Sequence, residues 1–139
     1  MKTAYAIKTE IVDLGAREWA FPRQKTMYGG KQIRVGSTIY VFASENEGGT
    51  GLVARGVVTA SAAVARVPGL SRQTPRVSIT VECTGSAIRR LGRAELKTFD
   101  AWKDGSPQTE LNFKFYRQAT NKIVGLSDAA SAFLACCVA

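Results

Sequence analysis

The chain is 139 residues long, with 45% hydrophobic and 22% charged side chains, a globular composition with enough length for a real core. Its 19 Lys and Arg against 11 Asp and Glu leave a formal charge of +8, which favours a polyanionic partner, either nucleic acid or an anionic membrane surface. Histidine is absent, so the side chain that titrates near neutrality without help is missing and histidine-based nucleophilic triads are excluded.

Residues 5–12 mix β-branched and aromatic side chains and predict the first strand. Residues 13–34 carry Gly15, Pro22, Gly29 and Gly30 and predict a loop with at most one helical turn. Gly36 then opens a hairpin: residues 38–42 form a strand, 45–50 a glycine-containing turn, and 52–59 the return. In the outgoing strand Ile39 and Val41 share one face, and Thr38, Tyr40 and Phe42 the other. Pro68 and Gly69 mark a further loop. Beyond Pro75, residues 76–83 alternate, with Val77, Ile79, Val81 and Cys83 inward and Arg76, Ser78, Thr80 and Glu82 outward. Residues 93–103 predict a short helix, with Leu96 and Phe99 at helical spacing. Residues 111–115 alternate again and predict a strand with Leu111, Phe113 and Phe115 on one face. Ser127 caps a last helix whose apolar stripe is Ala130, Phe133, Leu134 and Cys137. Five or more antiparallel strands with short helices at one side place the chain in class α+β, mostly β. The expected architecture is a small barrel or strongly curved sheet, as one domain over residues 1–139.

Cys83, Cys136 and Cys137 cannot build a disulfide framework, because adjacent cysteines rarely bridge and the third would need a distant partner. With neither histidine nor a Cys-x-x-Cys spacing, they make no structural zinc set, and no metal or cofactor is expected. They read as small buried hydrophobes in a reducing compartment. The opening residues hold no apolar run of signal-peptide length, and no window is long enough to span a membrane. The expectation is a cytoplasmic protein with no membrane partner.

Two stretches combine rings with cations and amides. In the first, Trp19, Phe21, Arg23, Gln24 and Tyr28 fall in the predicted loop, where function concentrates. In the second, Asn112, Phe113, Lys114, Phe115, Tyr116, Arg117 and Gln118 follow one another and Asn121 adds a third amide. Flat rings stack on nucleobases, and amides supply donor and acceptor pairs for their edges. The same rings could instead plug a barrel end, and Phe113 and Phe115 point into the core by alternation. Residues 45–49 superficially resemble a phosphate loop, but they lack the Gly-x-x-x-x-Gly-Lys spacing and carry two repelling glutamates; they read as a turn. No nucleophile has a partner base and no carboxylates are paired, so no catalytic residue is assigned.

Residues 36–44, Gly-Ser-Thr-Ile-Tyr-Val-Phe-Ala-Ser, and 51–58, Gly-Leu-Val-Ala-Arg-Gly-Val-Val, together resemble the core hairpin of EVE-type domains in the PUA-like superfamily. There a Gly-Asp-x-hydrophobic-aromatic strand ends in a small residue or serine, and a Gly-hydrophobic-x-Gly/Ala-x-Gly-x-Val strand follows. Tyr5-Ala6-Ile7-Lys8-Thr9-Glu10 is similar to that family's opening strand, aromatic-apolar-x-Lys-Ser/Thr-Glu. The likeness covers most of residues 4–60; residues 112–125 more loosely resemble the closing strand and helix of such domains fused to HNH nucleases. The chain departs from the pattern at Ser37, where the family has aspartate, and in the short segment after its first strand.

The resemblance implies a PUA-like barrel with flanking helices that reads a modified base in an aromatic-lined pocket, with Lys8, Thr9, Trp19 and Ser44 at the motif positions. Joined to the residue reading, Trp19 with Phe21 or Tyr40 would stack the base, and Ser44, Thr9, Lys8, Gln24 or Asn112 would read its edge. Arg23, Lys25, Lys114 and Arg117 would meet phosphates. The expected partner is DNA or RNA carrying a methylated or hydroxymethylated base, with a nuclease as a second candidate partner. Two other readings stay open: a protein that binds a small ligand or free nucleotide in the same pocket, and a non-catalytic interaction subunit of a nuclease or defence system.

Overall fold

The computed structural model describes residues 3–139. Six strands, β1 (Tyr5–Thr9), β2 (Glu18–Met27), β3 (Thr38–Ala43), β4 (Gly51–Ala63), β5 (Arg76–Ser86) and β6 (Lys122–Gly125), close into a barrel in the order β1-β3-β4-β5-β2-β6. The helices are α1 (Arg93–Leu96), α2 (Pro107–Asn112), which runs on as a π-helical turn over Phe113–Arg117, and α3 (Asp128–Ala135). The barrel was expected to be antiparallel, but the β1–β3 and β2–β6 pairings are parallel. The short β6 lies between β1 and β2, antiparallel to the first and parallel to the second, and so completes the ring.

Period-two alternation sorts the side chains into two cores that share the barrel wall. Inside the barrel lie Ile7, Trp19, Phe21, Ile39, Val41, Val58, Val77, Ile79, Val81 and Ile123. Outside, under the helices, lie Ala6, Tyr40, Phe42, Leu96, Leu111, Phe115, Val124, Ala130 and Leu134. β1 is buried along its whole length because both faces are covered, whereas β5 shows the predicted in-and-out pattern because its outer face meets solvent.

The expected loop over residues 13–34 contains β2. Trp19 and Phe21 alternate inward between Glu18, Ala20 and Pro22, all exposed. Pro22 cannot donate to a ladder, and it sits where the register with β5 shifts between Phe21 and Gln24, the kind of bulge that tolerates proline. The expected strand over residues 111–115 is helical instead. Leu111 and Phe115 stand four apart as well as alternating, and Ser106-Pro107 starts a helix there. Ser106 Oγ accepts from Thr109 N at 3.1 Å with proline in the first turn. The first strand ends at Thr9 rather than 12, the helix expected over 93–103 shrinks to α1, and β4 runs on to Ala63. Of the cysteines, Cys137 is buried as expected, Cys83 is half-buried and Cys136 is exposed.

Candidate functional site

At one end of the barrel, where β1 stops and β6 starts, a pocket of about 370 Å³ is lined by Thr9, Gln24, Asn46, Glu47, Ala119, Thr120 and Asn121, with Arg23, Lys25 and Arg76 along one side. That volume falls within the roughly 300–1,000 Å³ typical of small-ligand sites. Its walls offer amides and hydroxyls, groups that both donate and accept hydrogen bonds. The β2 bulge shapes this wall. Arg23 adopts φ 53, uncommon for a residue with a side chain, and its N–H leaves the ladder to donate to Ser78 Oγ at 2.9 Å. Arg76 Nη1 donates to Arg23 O at 2.7 Å and fixes that backbone turn from β5.

The opposite rim is a 3-10 turn, Glu45–Glu47, held from several sides. Tyr116 donates its phenol proton to Glu45, both carboxylate oxygens lying at 3.1 Å. Arg93 binds Glu45 through its backbone N–H and Asn46 through its guanidinium, and Asn121 Nδ2 donates to Glu47 Oε1 at 3.0 Å. Burial, then the charge and hydrogen bond of Glu45, hold the Tyr116 phenol protonated well beyond its ordinary range. Beside Thr9, whose carbonyl accepts from Ser44 N at 2.9 Å, the Ser44 hydroxyl is buried and meets no partner among the described residues. Such a group is rare in native proteins and calls for a reason.

Beneath the rim, Lys8 and Lys122 are directly opposed across β1 and β6, and both are fully buried. Lys8 Nζ donates to Phe115 O at 2.8 Å and Ala119 O at 3.1 Å, and lies 5.0 Å from the Tyr116 ring centre. Lys122 Nζ donates to Gln118 O at 2.9 Å and Thr120 O at 3.0 Å. Burial lowers the pKa of both, that of Lys122 to about 8 with the Lys8 charge as a second cause. These ammonium groups bind the carbonyls released where α2 and its π-helical turn end, so they secure the floor of the site and leave phosphate contact to other residues.

Next to the pocket lies a groove of about 740 Å³, with Arg23, Lys25 and Arg76 lining both. Lys31, Arg66 and Arg72 complete the charge along the groove, and among the described residues no carboxylate lines it. Among the described residues, no group of three or more His, Cys, Asp or Glu side chains is placed to hold a metal ion.

The structure thus brings Thr9, Gln24, Arg23 and Lys25 together, with Ser44 close behind the rim. It does not bring the expected rings there. Trp19 is buried in the barrel interior, stacked on Phe21 with ring centres 6.3 Å apart, and its indole N–H donates to Asp13 O at 2.8 Å. Tyr40 lies on the outer wall beneath α3. Asn112 is buried and donates to Phe99 O at 3.0 Å. Lys114 is paired with Glu110 at 2.9 Å and donates to Gly125 O. Arg117 rests on the faces of Trp102 and Phe113. Asn121, one of the three amides of the second stretch, does line the pocket, whereas the sequence reading assigns no site role to Asn46, Arg66, Arg72 and Arg76. Arg76 was read only as an outward strand residue, and the Asn46 turn only as a connection; each joins the site through distant chain partners.

No protein-family model matches the sequence, and no curated protein does. Solved structures do match in fold. The human THYN1 protein in complex with 5-methylcytosine-containing DNA superposes with a TM-score of 0.64 at 14% identity, covering 96% of this chain and 95% of that one. The DUF55 domain of human thymocyte nuclear protein 1 gives 0.60 at 13% identity, covering 94% and 95%. The chain thus shares the fold of these human proteins, a closed, mostly β barrel with short helices, as the resemblance of the hairpin and opening strand implied.

Proposed function

We propose that the chain is a nucleic-acid-binding module that admits one modified base, extruded from a duplex or already single-stranded, into the barrel-mouth pocket. One observation carries this reading: a pocket lined by amides, hydroxyls and the Glu47 carboxylate shares Arg23, Lys25 and Arg76 with a neighbouring groove that holds six cations and, among the described residues, no carboxylate. Thr9, Gln24 and Asn121 can pair with a base edge, while Arg23, Lys25 and Arg76 stand where the attached phosphates would lie. A crystal structure of the similarly folded human THYN1 protein with 5-methylcytosine-containing DNA supports the choice of ligand class. With Trp19 and Phe21 inside the barrel and absent from the pocket lining, recognition here rests on edge contacts and the fit of the pocket.

The test is fluorescence anisotropy with short single- and double-stranded DNA and RNA, unmodified or carrying methylated or hydroxymethylated cytosine or methylated adenine, at low and high salt. Preference for one modified base should persist at high salt, and Gln24→Ala should erode it about tenfold, the scale of a lost base contact. Weak binding lost uniformly with salt would overturn the reading. Tight binding of a free nucleoside with no oligonucleotide affinity would replace it with a small-ligand function.

A further inference from the structure

The end of β4 runs past its pairing with β3 and stays on β5, Ala60 to Ala63 facing Thr80 to Val77, while β2 holds β5 from its other side. The connecting loop, residues 64–75, is built rather than slack. Gln73 accepts from Val67 N at 2.8 Å and donates to Val67 O at 2.8 Å and Leu70 O at 3.0 Å. Pro68 and Gly69 occupy the central positions of a tight turn, Gly69 with φ +86, the pattern a type II turn requires. Leu70 N closes that turn onto Val67 O. The braced turn displays two aliphatic side chains to solvent, Val67 at 49% and Leu70 at 56% exposure, with Arg66 and Arg72 close by in sequence.

A rigid loop that holds aliphatic groups out of the core and among cations suits a surface whose outside is anionic and whose inside is apolar. Duplex DNA is such a surface, and aliphatic wedges between base steps are a recurrent means of unstacking it. The position fits as well. Val67, Leu70, Arg66 and Arg72 line the basic groove, and its shared cations Arg23, Lys25 and Arg76 also border the base pocket. We infer that the β4–β5 loop is a duplex-entering wedge, with Leu70 and Val67 occupying the gap that an extruded base leaves while Arg66 and Arg72 grip the flanking phosphates. This rests on the base-binding reading and adds the element that opens the duplex.

The wedge is tested with duplexes carrying the preferred modified base next to 2-aminopurine, whose fluorescence rises when it is unstacked. The parent should raise that signal. Leu70→Ser combined with Val67→Ser, both at exposed positions, should abolish the rise and weaken duplex affinity about tenfold, yet leave single-strand affinity unchanged, because a single strand has no gap to fill. Arg66→Ala and Arg72→Ala should instead weaken duplex and single strand alike, each lowering the salt slope by about one. A full 2-aminopurine rise with the serine variant would overturn the wedge while leaving the pocket standing. Absence of any nucleic-acid binding by the parent would overturn both. Leu70-dependent binding to phosphatidylserine vesicles without duplex opening would reassign the loop to a membrane surface.

Discussion

The stretches around residues 19–28 and 112–118 look alike as strings, each mixing rings, cations and amides, yet the fold uses them in opposite ways. In β2 the rings turn into the barrel, and the bulge at Pro22 sends Arg23, Gln24 and Lys25 to the mouth of the pocket, where Gln24 Nε2 donates to Pro22 O at 3.0 Å and leaves its Oε1 to accept. In the helical stretch most of the candidate groups are already engaged, with Gln118 left exposed. Lys114 binds Glu110, Arg117 covers two rings, Asn112 binds a carbonyl, and Tyr116 binds Glu45. Glu110 shows how closed that network is. Burial pushes its carboxyl up, but hydrogen bonds from Ser127 and Lys114 outweigh this and hold it below its ordinary range. The difference teaches that a cation in a sequence signals a partner only if the fold leaves it uncompensated.

The sharpest way to break this contrast is Trp19. As an interior ring, its replacement by alanine should cost about 3–5 kcal/mol of stability by chemical denaturation. Trp19→Phe should keep the fold and leave nucleic-acid affinity unchanged. A large loss of affinity in a folded Trp19→Phe protein would return the ring to the binding site.

A smaller effect tests the lysines that secure the helical stretch. Lys122 has a folded pKa of about 8 against an ordinary 10.5, so between those values the unfolded chain binds more protons than the folded one. Stability therefore rises with pH across that window, and Lys8 adds a contribution of the same sign. Tyr116 and Cys137, both raised by burial, oppose the rise once pH passes their ordinary values of 10.0 and 9.0. The difference in unfolding free energy between the parent and Lys122→Met isolates the lysine, and it should move in the parent's favour from pH 8 to pH 10. A flat difference would mean that the buried ammonium is not desolvated as the packing requires.

The mildest changes separate free from engaged cations directly. Lys25→Ala should lower the salt slope of DNA binding by about one, whereas Arg117→Ala should leave it unchanged. Equal effects from the two would erase the distinction between the stretches.

Much of the barrel was legible because its strands obey a local rule. Residues 76–83 alternate with period two, which matches one buried face, and the same period in residues 38–42 sends Ile39 and Val41 into one core and Tyr40 and Phe42 into the other. Where two periods coincide the string misleads: Leu111 and Phe115 satisfy both a strand and a helix, and the Ser106-Pro107 start decides for the helix. β2 was hidden by Pro22 and the glycines near it, since a bulge makes room for proline only when a partner strand supplies the pairing around it.

The sequence by itself determined the mostly β class, the excess of positive charge, the likeness to EVE-type barrels and the lack of any histidine-based chemistry. Tertiary structure alone decided which cations are free. Lys8, Lys114 and Lys122 are neighbours of carbonyls or carboxylates only after folding, and Arg23, distant in sequence from Arg72 and Arg76, shares with them a groove that no described carboxylate lines only because β2 and β5 pair. Charge is a property of composition, but its availability depends on distances between residues that the chain brings together over long sequence separations.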